Sequence, residues 1–189
     1  GDDLAWLLAT GHAGGLVTIW DLTGRVQAYC QGSRCDVYSA AFSPDGKLLA
    51  SAGRYAGKLW DAATGRLLLD LSGQNYMTGL AFSANGRKLA VCGFPAFGSP
   101  GGVDVWELEN GRGIETLRGL AAPIDQVHFS RDGKLVAGLS QDWQLGIWEV
   151  ATGCLVRVID TPRGRFADNA GVAFSEDGSL IAFATGTEA

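Results

Sequence analysis

The sequence predicts an all-β fold of repeated four-stranded antiparallel units, and three observations predict it. The stretch Ala41-Phe42-Ser43-Pro44-Asp45-Gly46-Lys47-Leu48-Leu49-Ala50 returns in outline as Ala81-Phe82-Ser83-Ala84-Asn85-Gly86, His128-Phe129-Ser130-Arg131-Asp132-Gly133 and Ala173-Phe174-Ser175-Glu176-Asp177-Gly178. A second mark, Trp followed by an acidic residue and then a turn ending in Gly, falls at Trp20, Trp60, Trp106 and Trp148, in steps of 40, 46 and 42 residues. Apolar residues are nowhere spaced at three and four over a helical length, and Gly or Pro breaks the chain roughly every eight to twelve residues, the rhythm of all-β architecture. A repeat of roughly 40–45 residues is that of a β-propeller, each unit being one blade.

The elements follow in order. Leu7-Leu8-Ala9-Thr10 reads as a strand and His12-Ala13-Gly14-Gly15 as the turn after it. Leu16 to Trp20 alternates at period two and Val26 to Cys30 runs back, so residues 4–30 make a partial blade of three strands. Residues 37–71 make a whole blade, with strands from Val37 to Ser43, Leu48 to Ala52, Lys58 to Asp61 and Leu67 to Leu71. Pro44-Asp45-Gly46 is its first turn, because Pro pre-sets its φ and Gly accepts φ > 0. Residues 77–117 repeat the order with an insertion, Gly93 to Gly102, between the second and third strands. A blade at 124–159 follows, then a link from Thr161 to Asp168, and residues 170–189 supply about two strands of another partial blade. The first strand of each blade, such as Val172-Ala173-Phe174, is apolar or small on both faces, as expected of a strand between neighbouring sheets. Phe42 and Trp60 are expected to be buried there. Closure of the ring is expected either from the remaining blades of a larger propeller of seven or eight, the preferred reading, or from a second copy joining edge to edge.

Composition removes several function classes. The 189 residues are 47% hydrophobic, enough for a packed core, and the net charge of −5 supplies no basic field for nucleic acid. No apolar run reaches the roughly 20 residues of a membrane span, and no signal peptide is visible, so a cytoplasmic location is expected. Four cysteines are too few for a disulfide scaffold in a chain of this size. Cys30 and Cys35, on either side of Gly32, are either bridged or free, and free buried thiols are the commoner state.

Few residues invite chemistry. His12 reads as a surface turn residue and His128, beside Phe129, as a buried hydrogen-bonded core residue. Neither has cysteines or carboxylates at ligand spacing, so no metal, cofactor or catalytic residue is expected. The Gly93–Gly102 loop lacks a Gly-Lys-Ser/Thr ending and a following helix, which a phosphate cradle needs. The Asp-Gly and Asn-Gly pairs at 45–46, 85–86, 132–133 and 177–178 are hairpin turns, without the clustered oxygen ligands of a calcium loop.

Trp20-Asp21 and Trp60-Asp61, softened to Trp106-Glu107 and Trp148-Glu149, together with the phrase at 41–50, resemble the WD-repeat (WD40) family of β-propellers over essentially the whole chain. The chain departs from that family's pattern in two ways. Gly-His before the first strand is replaced by Gly32-Ser33, Gly73-Gln74 and Gly119-Leu120, the one Gly-His, Gly11-His12, lying in another turn. The Asp six residues before the Trp survives as Asp142, with Gly14, Arg54 and Pro100 in the other blades. The family's His-Asp-Ser/Thr-Trp hydrogen-bond network is therefore not expected to assemble in any blade.

The resemblance implies a non-enzymatic scaffold that binds a protein or peptide partner, with neither nucleic acid nor membrane as partner. In that family the loops from second to third strand, and from fourth strand to the next blade, share one face. Carried onto this sequence, that face presents Arg54 and Tyr55, then Phe94, Pro95 and Phe97, then Trp143, with Tyr76, Arg163, Arg165 and Phe166 from the inter-blade links. Exposed aromatics with Arg are the residue types of binding hot spots. Against this stands a packing role in which Phe94 and Phe97 plug a groove between blades. The opposite face, with its Asp-Gly and Thr-Gly turns, is expected to be polar. Two other functions remain open: an architectural arm of a larger multidomain signalling or defence protein, and an enzyme with its site on the propeller face. The enzyme requires an acid, a base and a stabilising group, and the sequence shows no such set.

Overall fold

In the computed structural model the described residues are 7–32, 35–71, 76–94, 101–162 and 171–184, and among them there is no helix. Pro95, Phe97, Arg163, Arg165 and Phe166 lie outside them. The chain divides into two compact units, one ending at Met77 and the other beginning at Thr78.

The first unit holds two antiparallel sheets. One is β1 (Leu7–Gly11), β2 (Leu16–Asp21) and β3 (Val26–Gln31), in that order. The other is β4 (Val37–Phe42), β5 (Leu48–Gly53), β6 (Ala56–Asp61) and β7 (Leu67–Asp70). Buried Val17, Ile19, Ala28 and Cys30 from the first sheet form one cluster with Leu49, Trp60 and Ala62 from the second.

The second unit holds β8 (Tyr76–Phe82), which begins at the boundary, with β9 (Lys88–Phe94), β10 (Val103–Glu107) and β11 (Arg112–Leu117). Next come β12 (Ile124–Phe129), β13 (Leu135–Ser140), β14 (Gln144–Glu149) and β15 (Leu155–Asp160), then the pair β16 (Gly171–Phe174) and β17 (Ile181–Ala184). One core cluster runs from Cys92, Val103 and Leu117 to Ile124, Phe129 and Trp148, and another joins Leu139 and Leu145 to Val172. The all-β reading and the four-stranded antiparallel units hold, and the β16–β17 pair remains a sheet of its own.

Burial runs in a gradient across each sheet. The second strand is the buried one: β5 and β13 are buried at every position after the first, and β9 at all but its two ends. The expectation that the first strand is enclosed on both faces is corrected. β4 alternates between half-buried and exposed over Val37–Ala41, and β8 between half-buried and buried. Successive side chains point to opposite faces, and the two faces of these strands are covered to different degrees. Phe42 is accordingly half-buried, packed against the cluster that contains Trp60, whereas Trp60 itself is buried. Outer strands are open, with Val156 on β15 61% exposed.

Each Trp mark coincides with a break in register. The pairing of third and fourth strands shifts between Ile19 and Trp20, Leu59 and Trp60, Val105 and Trp106, and Ile147 and Trp148. In each case the outer strand carries one extra residue, a bulge that raises the local twist where the bulky indole sits. The residue after the Trp then closes the turn. Asp21 Oδ1 accepts the Thr23 and Arg25 N–H groups and the Thr23 hydroxyl, and Asp61 Oδ1 accepts the Thr64 N–H and hydroxyl. Glu149 reaches only the Thr152 hydroxyl, at 2.7 Å. A Trp-Asp pair thus couples a core aromatic to an Asx-type turn.

Candidate functional site

The turn between β5 and β6 builds the clearest cluster, and all of it lies in the first unit. An isolated bridge pairs Arg54 with Tyr76, which brings together residues 22 positions apart. The Tyr55 and Tyr76 rings lie 5.8 Å apart between centroids, tilted by 42°. Arg54 places its guanidinium carbon 5.1 Å from the Tyr55 centroid and 5.0 Å from that of Tyr76, within cation–π range. Hydrogen bonding to the Tyr55 hydroxyl and the neighbouring phenols push the Arg54 pKa up, so it stays a cation. Tyr55 is 57% exposed and Tyr76 half-buried.

The backbone at this turn is unusual. Tyr55 has φ of 61° and Trp143 of 69°, the two non-glycine residues in the left-handed region among those described. Each stands five residues before a marking Trp, the place that Gly15 fills with φ of 82° in the first sheet. A bulky side chain there costs about 1–2 kcal/mol that Gly would not.

Trp143, in the second unit, is half-buried rather than freely displayed. Its carbonyl accepts both the N–H and the hydroxyl of Thr161 at 2.8 Å, and its N–H donates to the Ser140 carbonyl at 3.1 Å. Phe94 is also half-buried and is the last residue of β9, so the strand takes in Gly93 and Phe94, the first two residues of the expected insertion. Among the ten expected face residues the structure thus brings Arg54, Tyr55 and Tyr76 together in the first unit, and Phe94 and Trp143 are half-buried in the second. The other five lie outside the described residues.

The Trp hydrogen bonds are a partial surprise. Trp20 Nε1 donates to Thr10 Oγ1 at 2.9 Å, and Thr10 Oγ1 lies 3.1 Å from His12 Nε2, so a three-membered chain forms although the family's Asp position holds Gly14. Trp60 Nε1 donates to Ser51 Oγ at 2.8 Å. In the sheet of Trp148 the matching strand position is Gly138, and the indole donates instead to the Arg118 carbonyl at 2.8 Å. Asp142 accepts the Ser140 hydroxyl. No four-membered network is complete among the described residues.

At the other ends of the strands, the expected hairpin turns carry a clasp that sequence reasoning had not singled out. Ser43 Oγ donates to Asp45 Oδ1 at 2.6 Å and accepts the Leu48 N–H, while Asp45 Oδ1 also accepts the Lys47 N–H. Ser83 with Asn85, Ser130 with Asp132 and Ser175 with Asp177 repeat it. These bonds hold the carboxyls of Asp45, Asp132 and Asp177 below the ordinary carboxylate value, Asp177 down to about 2. This end is not wholly polar. Phe82, Phe129 and Phe174 line a groove of about 410 Å³ with His128, Arg131 and Glu176, and Arg131 pairs with Glu176 across it. His128 is exposed there, its Nδ1 2.9 Å from the Phe129 carbonyl, which corrects its expected burial. It lies at the turn-proximal end of the half-open first strand, on the face away from the core.

No disulfide joins the four cysteines. Burial pushes the Cys30 thiol up to about 11 and raises Cys92 as well, the opposite of what a nucleophilic thiolate needs. Among the described residues, no three His, Cys, Asp or Glu side chains group closely enough to hold a metal ion. Nor is any helix among them long and apolar enough to cross a membrane.

The family model described as WD domain, G-beta repeat matches residues 24–61. The WD repeat-containing protein SL1-17 of Schistosoma mansoni is 33% identical over 156 residues, covering 79% of this chain and 49% of that protein. The WD repeat-containing protein sll1491 of Synechocystis is 33% identical over 152 residues, 72% of this chain and 38% of its own length. The small ribosomal subunit protein RACK1 of Caenorhabditis elegans is 30% identical over 131 residues, 68% of this chain and 38% of its own. The chain spans half or less of the length of each of these relatives.

Proposed function

The chain belongs to the WD-repeat family, and we propose on that footing that it is a non-enzymatic scaffold holding a protein or peptide partner on the turns between the second and third strands of its blades. One observation carries the choice of these turns. Tyr55 and Trp143 keep large aromatic side chains in a backbone conformation suited to Gly, at one repeated turn position. Strain held at a repeated turn position favours a functional reading. Arg and Tyr are also the residues in which interface energy concentrates. Phe94, Pro95 and Phe97, and the link with Arg163, Arg165 and Phe166, belong to the proposal as further partner contacts. Further blades, from a longer chain or a second copy, belong to the proposal too, and the greater length of the relatives supports them. So does a cytoplasmic setting, which four cysteines without a disulfide suit.

The test is to select peptides from a displayed random library against the protein, then measure them on Tyr55→Gly, Trp143→Gly and Phe94→Ser. The glycine variants relieve strain, so their melting temperatures should hold or rise. Binding should fall by at least about 2 kcal/mol in one or more of them. Undiminished binding in all three folded variants would move the site to the turns at 62–65, 109–113 and 151–153.

A further inference from the structure

We infer that the partner presents a carboxylate side chain to Arg54, an inference that rests on the protein-binding reading above and gives that site its chemistry. The guanidinium carbon lies 5.1 Å from the Tyr55 ring centroid and 5.0 Å from that of Tyr76, and with the two centroids only 5.8 Å apart both rings stand toward one side of it. Arg54 is exposed, and none of the ion pairs among the described residues involves it. With both rings toward one side and the residue exposed, the guanidinium keeps N–H groups for hydrogen bonding to a ligand. Those groups match a carboxylate through two parallel bonds, a geometry that Lys cannot offer.

The surroundings favour the same ligand. The bond from Arg54 Nη2 to the Tyr55 hydroxyl is long, 3.5 Å, and yields readily to a stronger acceptor. Tyr38 is the extra residue of the bulge between Val37 and Ser39, is 51% exposed, and stands within electrostatic reach of the guanidinium. Its hydroxyl and that of Tyr55 are further donors for an anion. The bridge between Arg54 and Tyr76 and the left-handed backbone at Tyr55 hold the group in place before a ligand arrives, which lowers the ordering cost of binding.

Charge decides between carboxylate and phosphate. One guanidinium neutralises one carboxylate, but leaves a phosphate of roughly −2 charge half uncompensated. The chain carries a net −5, so an acidic segment is repelled over much of its surface and accepted at this cation. Repulsion elsewhere and attraction here together set the docking position.

The experiment uses a displayed library of unphosphorylated random peptides, selected on the protein and filtered for those that lose binding on Tyr55→Gly. The selected peptides should share an Asp or Glu. Changing it to Asn or Gln should weaken binding to the unmodified protein about tenfold or more, as loss of a charge-assisted bond does. The same peptide change should alter binding to Arg54→Gln by less than about twofold, the sign that the two groups meet. Equal losses on both proteins would overturn the inference. So would selected peptides without an acidic residue, or binding that appears only when a phosphoserine is introduced, and either would leave the protein-binding reading standing. Peptides indifferent to Tyr55→Gly, Trp143→Gly and Phe94→Ser alike would move the proposed site to the turns at 62–65, 109–113 and 151–153, and would overturn this inference.

Discussion

Trp60 donates its indole N–H to Ser51 Oγ at 2.8 Å, and both residues are buried. The bond ties the third strand of its sheet to the second at the point where the fourth strand bulges. Replacing Ser51 by Ala leaves a buried donor without its acceptor, which costs about 1–3 kcal/mol. Denaturant unfolding of Ser51→Ala checks this, and a loss below about 0.5 kcal/mol would show that another acceptor takes over.

Burial ranks the two aromatics of this sheet. Trp60→Ala should cost about 3–5 kcal/mol, the range for a fully buried aromatic. Phe42, half-buried on the first strand, should cost distinctly less. Equal losses in the same unfolding assay would mean that Phe42 is enclosed in solution.

Gly146 lies directly under the Trp148 indole, so close that a Cβ would overlap Cη2, Cζ2 and Cζ3 of the ring. The indole is anchored by its bond to the Arg118 carbonyl and cannot swing away freely. Gly146→Ala should destabilise by about 1–3 kcal/mol, as overpacking does, and should shift the fluorescence of the protein. An unchanged melting temperature would place the ring elsewhere.

The Ser–Asp clasps predict an acid response of defined sign. Hydrogen bonds from the Ser hydroxyls, then from backbone N–H groups, hold Asp45, Asp132 and Asp177 below 3.8 when folded. A depressed folded value contributes stability that is present above 3.8 and lost as pH falls through the folded value, about 2 for Asp177. The combined variant Asp45→Asn, Asp132→Asn, Asp177→Asn should therefore lose less stability over that interval than the unmodified protein. Asn85 already fills the matching place in the turn after β8, so that turn serves as the internal control. Parallel pH curves for the two proteins would dismiss the clasps as the source.

Strand order was legible because the Trp and Phe marks each fix one strand end per repeat. The bulges opposite Trp20, Trp60, Trp106 and Trp148 were not, since the extra residue lies in an outer strand that carries no mark of its own. Both Arg54 and Tyr76 were expected on the partner face, but their contact is made by a bridge between distant residues and leaves no local pattern. The left-handed turns could have been found: Tyr55 and Trp143 align with Gly15 when each is counted back from its Trp. His128 was misplaced because an apolar neighbour, Phe129, says nothing about which face of a half-open strand a side chain takes.

The gradient of burial from second to fourth strand also sets an order of opening. Amides of β5, β9 and β13 are bonded on both edges and covered on their faces, whereas β7 and β15 each have one bonded edge and mostly exposed side chains. Deuterium should therefore enter the outer strands through local fluctuations and reach the second strands only when a whole sheet gives way. Each sheet can thus lose its rim while its centre persists, and the β5–β6 turn proposed for partner binding is anchored to the last part to open.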